Sequence, residues 1–63
     1  ILKRRAEKIR TSIGEAQVKI CTLPNGKERC YPEYDSASAL AGKAGISFRE
    51  AYDTIVNCWK TER

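Results

Sequence analysis

The stretch Tyr31-Pro32-Glu33-Tyr34-Asp35 crowds two carboxylates and two phenols into five residues. Carboxylate oxygen is the donor that Mg2+ and Mn2+ prefer, so Glu33 and Asp35 are candidate ligands for a divalent cation. A plainer purpose fits the same residues. Pro32 keeps Tyr31 extended and cannot continue a ladder of hydrogen bonds, and Asp35 or Ser36 can cap the free amides of a following helix.

A second concentration of chemistry lies at the amino end, where Lys3, Arg4, Arg5, Lys8 and Arg10 face only Glu7 within the first ten residues. Arginine grips phosphate through two parallel hydrogen bonds and lysine as a compact charge. Arg4, Lys8, Arg10 and Lys19 are therefore the candidate phosphate-binding residues, a solvated charged surface being the alternative. Cys21 and Cys30 are weaker metal candidates. A cross-strand disulfide, a soft-metal pair and two inert residues all remain open for them, and Cys58 reads as a small buried hydrophobe. Histidine is absent, which closes the Ser-His-Asp and Cys-His templates, and neither a phosphate loop nor a dinucleotide fingerprint occurs.

The elements that must position these groups follow from the pattern. Residues 4–11 read as extended, a turn at Ile13-Gly14 leads into the alternating run Ala16 to Cys21, and Asn25-Gly26 suits the two positive-φ positions of a tight hairpin turn. With Asn25 and Gly26 as the loop, Cys21 is expected opposite Cys30 and Ile20 opposite Tyr31. Ile9, Val18, Ile20 and Tyr31 then share the face that meets the helices. The other face collects Arg4, Lys8, Arg10, Gln17, Lys19, Cys21 and Cys30. A helix over 36–44 is expected to bury Tyr34, Ala37, Leu40, Ala41 and Ala44 and to stop at Gly45. Ser47 and Glu50 form a capping box for a second helix, which carries Phe48, Ala51, Tyr52, Ile55, Val56 and Trp59 on one side, with Lys60 and Arg63 near its carboxyl end. The fold class is α+β: a small three-stranded antiparallel sheet followed by two helices.

Sixty-three residues make one small domain that buries only about 60% of its unfolded surface. With Ile1 first and no methionine, it is expected to be a C-terminal fragment of a longer chain that leans on its parent or on a copy of itself. No run of about 18 apolar residues exists, which argues against a membrane helix, and Ile1-Leu2 followed at once by charge is no signal peptide. The net charge of +4 favours phosphate-bearing ligands, nucleic acid or an anionic surface.

Arg4-Arg5, Thr11, Gly14-Glu15, Val18-Lys19, Pro32-Glu33-Tyr34-Asp35, Ala41, Gly45-Ile46, Arg49-Glu50 and Tyr52 occur in an order that resembles the C-terminal end of the nickel-insertion proteins that complete the nickel-pincer cofactor of lactate racemase. The Pro-Glu-Tyr-acid corner, then a Gly-Ile turn and an Arg-Glu-x-Tyr helix, is its most specific part. The chain has Asp35-Ser36 where the family places two acids. The resemblance implies a cytoplasmic parent enzyme, a nickel chelatase or cyclometallase of the lyase class. Such an enzyme uses CTP with Mg or Mn to insert nickel into pyridinium bisthiocarboxylate mononucleotide, and the fragment alone is not expected to be active. From the residues alone come anion binding and homo-oligomeric packing. A non-catalytic module binding RNA or DNA, or serving only in oligomerisation, is the alternative.

Overall fold

The computed structural model describes residues 3–61. Three strands, β1 (Lys3–Thr11), β2 (Gly14–Thr22) and β3 (Glu28–Pro32), precede two helices, α1 (Tyr34–Ala44) and α2 (Phe48–Thr61). The sheet is antiparallel in the order β1-β2-β3, so β2 is central and the other two are edges. This is the expected α+β architecture. Arg63 lies outside the described residues.

The β1–β2 turn uses Ser12 and Ile13 rather than Ile13 and Gly14, because Gly14 already pairs with Thr11. Gly14 has φ +130°, which only glycine adopts without strain. The buried Thr11 hydroxyl donates to the Gly14 carbonyl at 2.6 Å and accepts the Ile13 N–H at 3.1 Å, which locks the turn. Ile9 faces Ala16 in this register, and the faces of β1 and β2 remain those expected.

At the β2–β3 turn the register differs by one residue. Leu23 N–H donates to the Lys27 carbonyl at 2.7 Å and Gly26 N–H to the Leu23 carbonyl at 2.9 Å, which leaves a loop of Pro24, Asn25 and Gly26. A loop of Asn25 and Gly26 alone would make Pro24 the closing partner of Lys27, and proline has no N–H to give. Pro24 instead takes the second position of the turn, which its fixed φ favours, and Gly26 follows at φ +86°. Ile20 therefore pairs with Cys30, Lys19 with Tyr31 and Cys21 with Arg29. Since a slip of one residue exchanges the faces, Cys30 enters the core and Tyr31 turns outward, the reverse of the expectation.

Ile9, Ala16, Val18, Ile20 and Cys30 form the buried face of the sheet. Against it α1 sets Ala37, Leu40 and Ala41, and α2 sets Ala51, Ile55 and Trp59. Helix α1 packs on β2, while α2 packs on β1, β3 and α1. Gly45 ends α1 in the left-handed conformation at φ 71°, and Ile46 N–H reaches the Ala41 carbonyl. Ser47 Oγ accepts the Glu50 N–H at 3.1 Å, the capping half of the expected box, and its hydroxyl donates to the Glu50 carboxylate. Tyr34, 70% exposed, and Ala44, also exposed, correct the expected helix face. Phe48 is also exposed and Tyr52 and Val56 are half-buried. Their rings form a surface row, Tyr34 to Phe48 at 5.0 Å and Phe48 to Tyr52 at 6.1 Å between centroids. Cys58 is half-buried rather than a core residue, and its thiol donates to the Arg10 carbonyl at 3.2 Å.

Candidate functional site

Both helices lie on one side of the sheet, so the other side is an open platform whose rows follow from the register. Arg4, Cys21 and Arg29 stand side by side across the three strands, and Ala6, Lys19 and Tyr31 form the next row. Lys8 beside Gln17 and Arg10 beside Glu15 continue it along β1 and β2. Arg4, Lys8, Arg10 and Lys19 thus share one surface, with Arg10 at its far end. Arg5 belongs to the opposite face, where it bridges Glu7 and Glu28 and bonds Glu28 Oε2 at 2.6 Å. Those two carboxylates hold its guanidinium pKa above the ordinary arginine value. The two carboxylates that pair with Arg5 therefore lie away from the platform.

The corner after β3 is built by the backbone. Glu33 N–H donates to the Gln17 carbonyl at 2.9 Å, which extends the β2–β3 ladder by one bond. The Glu33 carbonyl then accepts the Ala37 N–H as the first bond of α1. Ser36 Oγ accepts the Gln17 N–H, at 3.2 Å. Ser36 is thus committed to the sheet and does not cap the helix. The N-cap is Glu33, with no side-chain cap bond, and Asp35 sits in the first turn. Capping by Asp35 or Ser36 does not occur, although an acid in the first turn still suits the helix dipole.

Lys19, Tyr31, Pro32, Glu33, Tyr34 and Asp35 line a shallow depression of about 360 Å³. Arg4, Lys19, Cys21, Leu23 and Tyr31 line another of about 350 Å³. Lys19 and Tyr31 are the wall between the two, so two carboxylates stand on one side of Lys19 and Arg4 on the other. Among the described residues no three His, Cys, Asp or Glu converge. Two carboxylates fit Mg2+ or Mn2+, which keep water and phosphate oxygens as further ligands, better than they fit a closed protein cage.

The two cysteines do not meet. Cys21 is half-exposed on the platform, whereas Cys30 is 6% exposed beneath the helices, on the opposite face. Burial, with the Glu7 charge adding to it, pushes the Cys30 thiol up to about 11. A cross-strand disulfide and a two-thiolate metal site are both excluded by this placement, and Cys30 is removed from the metal candidates. Arg29 joins the platform although residue type alone did not single it out. The signal was available in strand parity once Pro24 is assigned to the turn.

Comparison with known proteins follows this geometry. Residues 1–52 match the family model described as nickel insertion protein. The fold superposes with a TM-score of 0.80 and 30% sequence identity on LarC2, the C-terminal domain of a cyclometallase involved in the synthesis of the NPN cofactor of lactate racemase, in its apo form. The match covers 95% of this chain and 41% of that one, so the chain spans less than half of the domain it resembles. No curated protein sequence matches. No helix among the described residues is long and apolar enough to cross a membrane. Most of its length fits the family model, and the chain belongs to the nickel insertion protein family.

Proposed function

We propose that this chain serves nickel-pincer cofactor biosynthesis as part of a cyclometallase, with its open sheet face holding a nucleoside triphosphate and a divalent cation. The observation that carries the reading is Lys19, placed between Arg4 on one side and the Glu33–Asp35 corner on the other. Arg4 and Lys19 meet phosphate oxygens, and Lys8 extends the cationic row. Glu33 and Asp35 would hold Mg2+ or Mn2+. When bound, the cation would supply charge neutralisation at the phosphates; the chain's own residues fix the triphosphate against a rigid sheet. Nickel is the cargo, and the pyridinium mononucleotide is the acceptor in the parent protein. The family resemblance supplies CTP as the nucleotide, the lyase class and a cytoplasmic setting; the residues on the platform supply the anion and cation chemistry.

The test is calorimetric titration of the full-length protein with each of the four nucleoside triphosphates, with Mn2+ and without it. Binding of CTP above the others, and only with the cation, is expected. Equal affinity for all four would remove the cytidine assignment, and RNA binding in preference to any mononucleotide would replace the reading with a nucleic-acid module.

A further inference from the structure

The chain holds two asparagines, and their surroundings differ in the backbone chemistry they allow. Asn57 lies in mid α2 before Cys58, and the helix engages the amide that follows it in an intrahelical bond. Asn25 is exposed in the β2–β3 turn and is followed by Gly26. Gly26 has no side chain to screen its nitrogen, and a Cβ built there would meet nothing within 4 Å, so the space around that peptide is open. Asn25 Oδ1 accepts the Lys27 N–H at 3.0 Å, an Asx turn that folds the side-chain amide back toward the Asn25–Gly26 peptide. The closed turn restrains the Gly26 nitrogen. Its N–H donates to the Leu23 carbonyl at 2.9 Å, and the Leu23 N–H closes the loop on the Lys27 carbonyl at 2.7 Å.

We propose that Asn25 is a site of spontaneous covalent modification, gated by opening of the β2–β3 turn. When the Gly26 N–H leaves the Leu23 carbonyl, hydroxide takes its proton and the nitrogen attacks Asn25 Cγ. The N–Cγ bond forms, the Cγ–Nδ2 bond breaks, and the side-chain nitrogen departs as ammonia with a proton from water, leaving a five-membered imide. Water then opens the ring at either carbonyl. Cleavage at Cγ gives aspartate, and cleavage at the backbone carbonyl leaves the main chain running through Cγ as isoaspartate. Aspartate keeps a carboxylate that accepts the Lys27 N–H as the amide did, so the turn recloses. Isoaspartate adds one carbon to the main chain of the Pro24-Asn25-Gly26 loop, and the Leu23 N–H no longer meets the Lys27 carbonyl. The same turn sets which of Cys30 and Tyr31 faces the core. The modification therefore strikes the element on which both the core and the open face depend.

The experiment ages the full-length, reduced protein in mildly alkaline buffer, native and in urea. Asn25 and Asn57 are followed by mass spectrometry of their peptides, with fragmentation that separates aspartate from isoaspartate. In the native protein Asn25 is expected to convert while Asn57 keeps its amide. Urea should speed the conversion of Asn25 by about tenfold or more, the factor for a reactive form that the fold populates about a tenth of the time or less. Hydrogen exchange should show the Leu23 amide losing protection in the isoaspartyl chains and keeping it in an Asn25→Asp variant. A native protein whose Asn25 keeps its amide as long as Asn57 does would overturn the proposal. Equal rates for Asn25 in native and urea-unfolded protein would overturn the gating. Isoaspartyl chains whose Leu23 amide is as protected as in Asn25→Asp would overturn the effect on the turn.

Discussion

Lys19 stands directly across from Tyr31 on the open face of the sheet, and together they separate the acidic corner from the cationic row. The pair joins two features far apart in the chain, the basic amino-terminal strand and the carboxylates after Pro32. Without the central strand that carries Lys19 they would be unrelated surfaces.

Gly14 is required twice over at the β1–β2 turn. An added Cβ would lie 2.6 Å from Leu40 Cδ2, and the backbone is at φ +130°. Gly14→Ala is therefore expected to destabilise the fold by about 2 kcal/mol or more, from backbone strain together with overpacking. Urea unfolding checks it. A loss within about 0.5 kcal/mol, the range of a plain surface site, would show that the turn relaxes around the methyl group.

The Cys30 thiol gives stability a definite pH slope. Its folded pKa of about 11 lies above the ordinary thiol value of 9.0, so in the alkaline range the unfolded chain loses the proton first. The contribution is fully present below pH 9 and is lost as pH rises through 11. Cys30→Val, which fills a similar volume and cannot ionise, should remove that part of the decline between pH 9 and 11. Identical pH profiles for the two proteins in chemical denaturation would contradict it.

Accessibility separates the three cysteines. Brief alkylation of the folded, reduced protein followed by mass spectrometry should label Cys21 and Cys58 and spare Cys30 until denaturant is added. Early labelling of Cys30 would mean that the β2–β3 register is the other one.

How far the sequence carries can be judged at particular residues. The caps at Gly45 and Ser47 and the alternation of β1 and β2 are local signals, and they were legible as such. Even a displaced first turn left Ile9, Val18 and Ile20 facing the core, because pairing moved by an even number of residues. Cys30 and Tyr31 were assigned to each other's faces because a single residue, Pro24, decides the length of the second turn. Tyr34 and Phe48 have helical spacing but lie outside the core, since what a helix face meets depends on how the two helices cross. The candidate site was legible as residue types. Its assembly, with Lys19 between Arg4 and the acidic corner and Arg29 added to the platform, depended on the register.

Lys19→Glu tests the binding face most directly. Lys19 is exposed in mid-strand, so reversing its charge should change folding stability by no more than about 0.5 kcal/mol. Losing its charge-assisted contact with phosphate should instead cost roughly 1.5–3 kcal/mol of affinity, about ten- to a hundredfold. Calorimetric titration of wild-type and Lys19→Glu full-length protein with CTP and Mn2+, after circular dichroism shows both folded, should reveal that loss. A variant that binds CTP and Mn2+ as tightly as the wild type would contradict the placement of the triphosphate on this face.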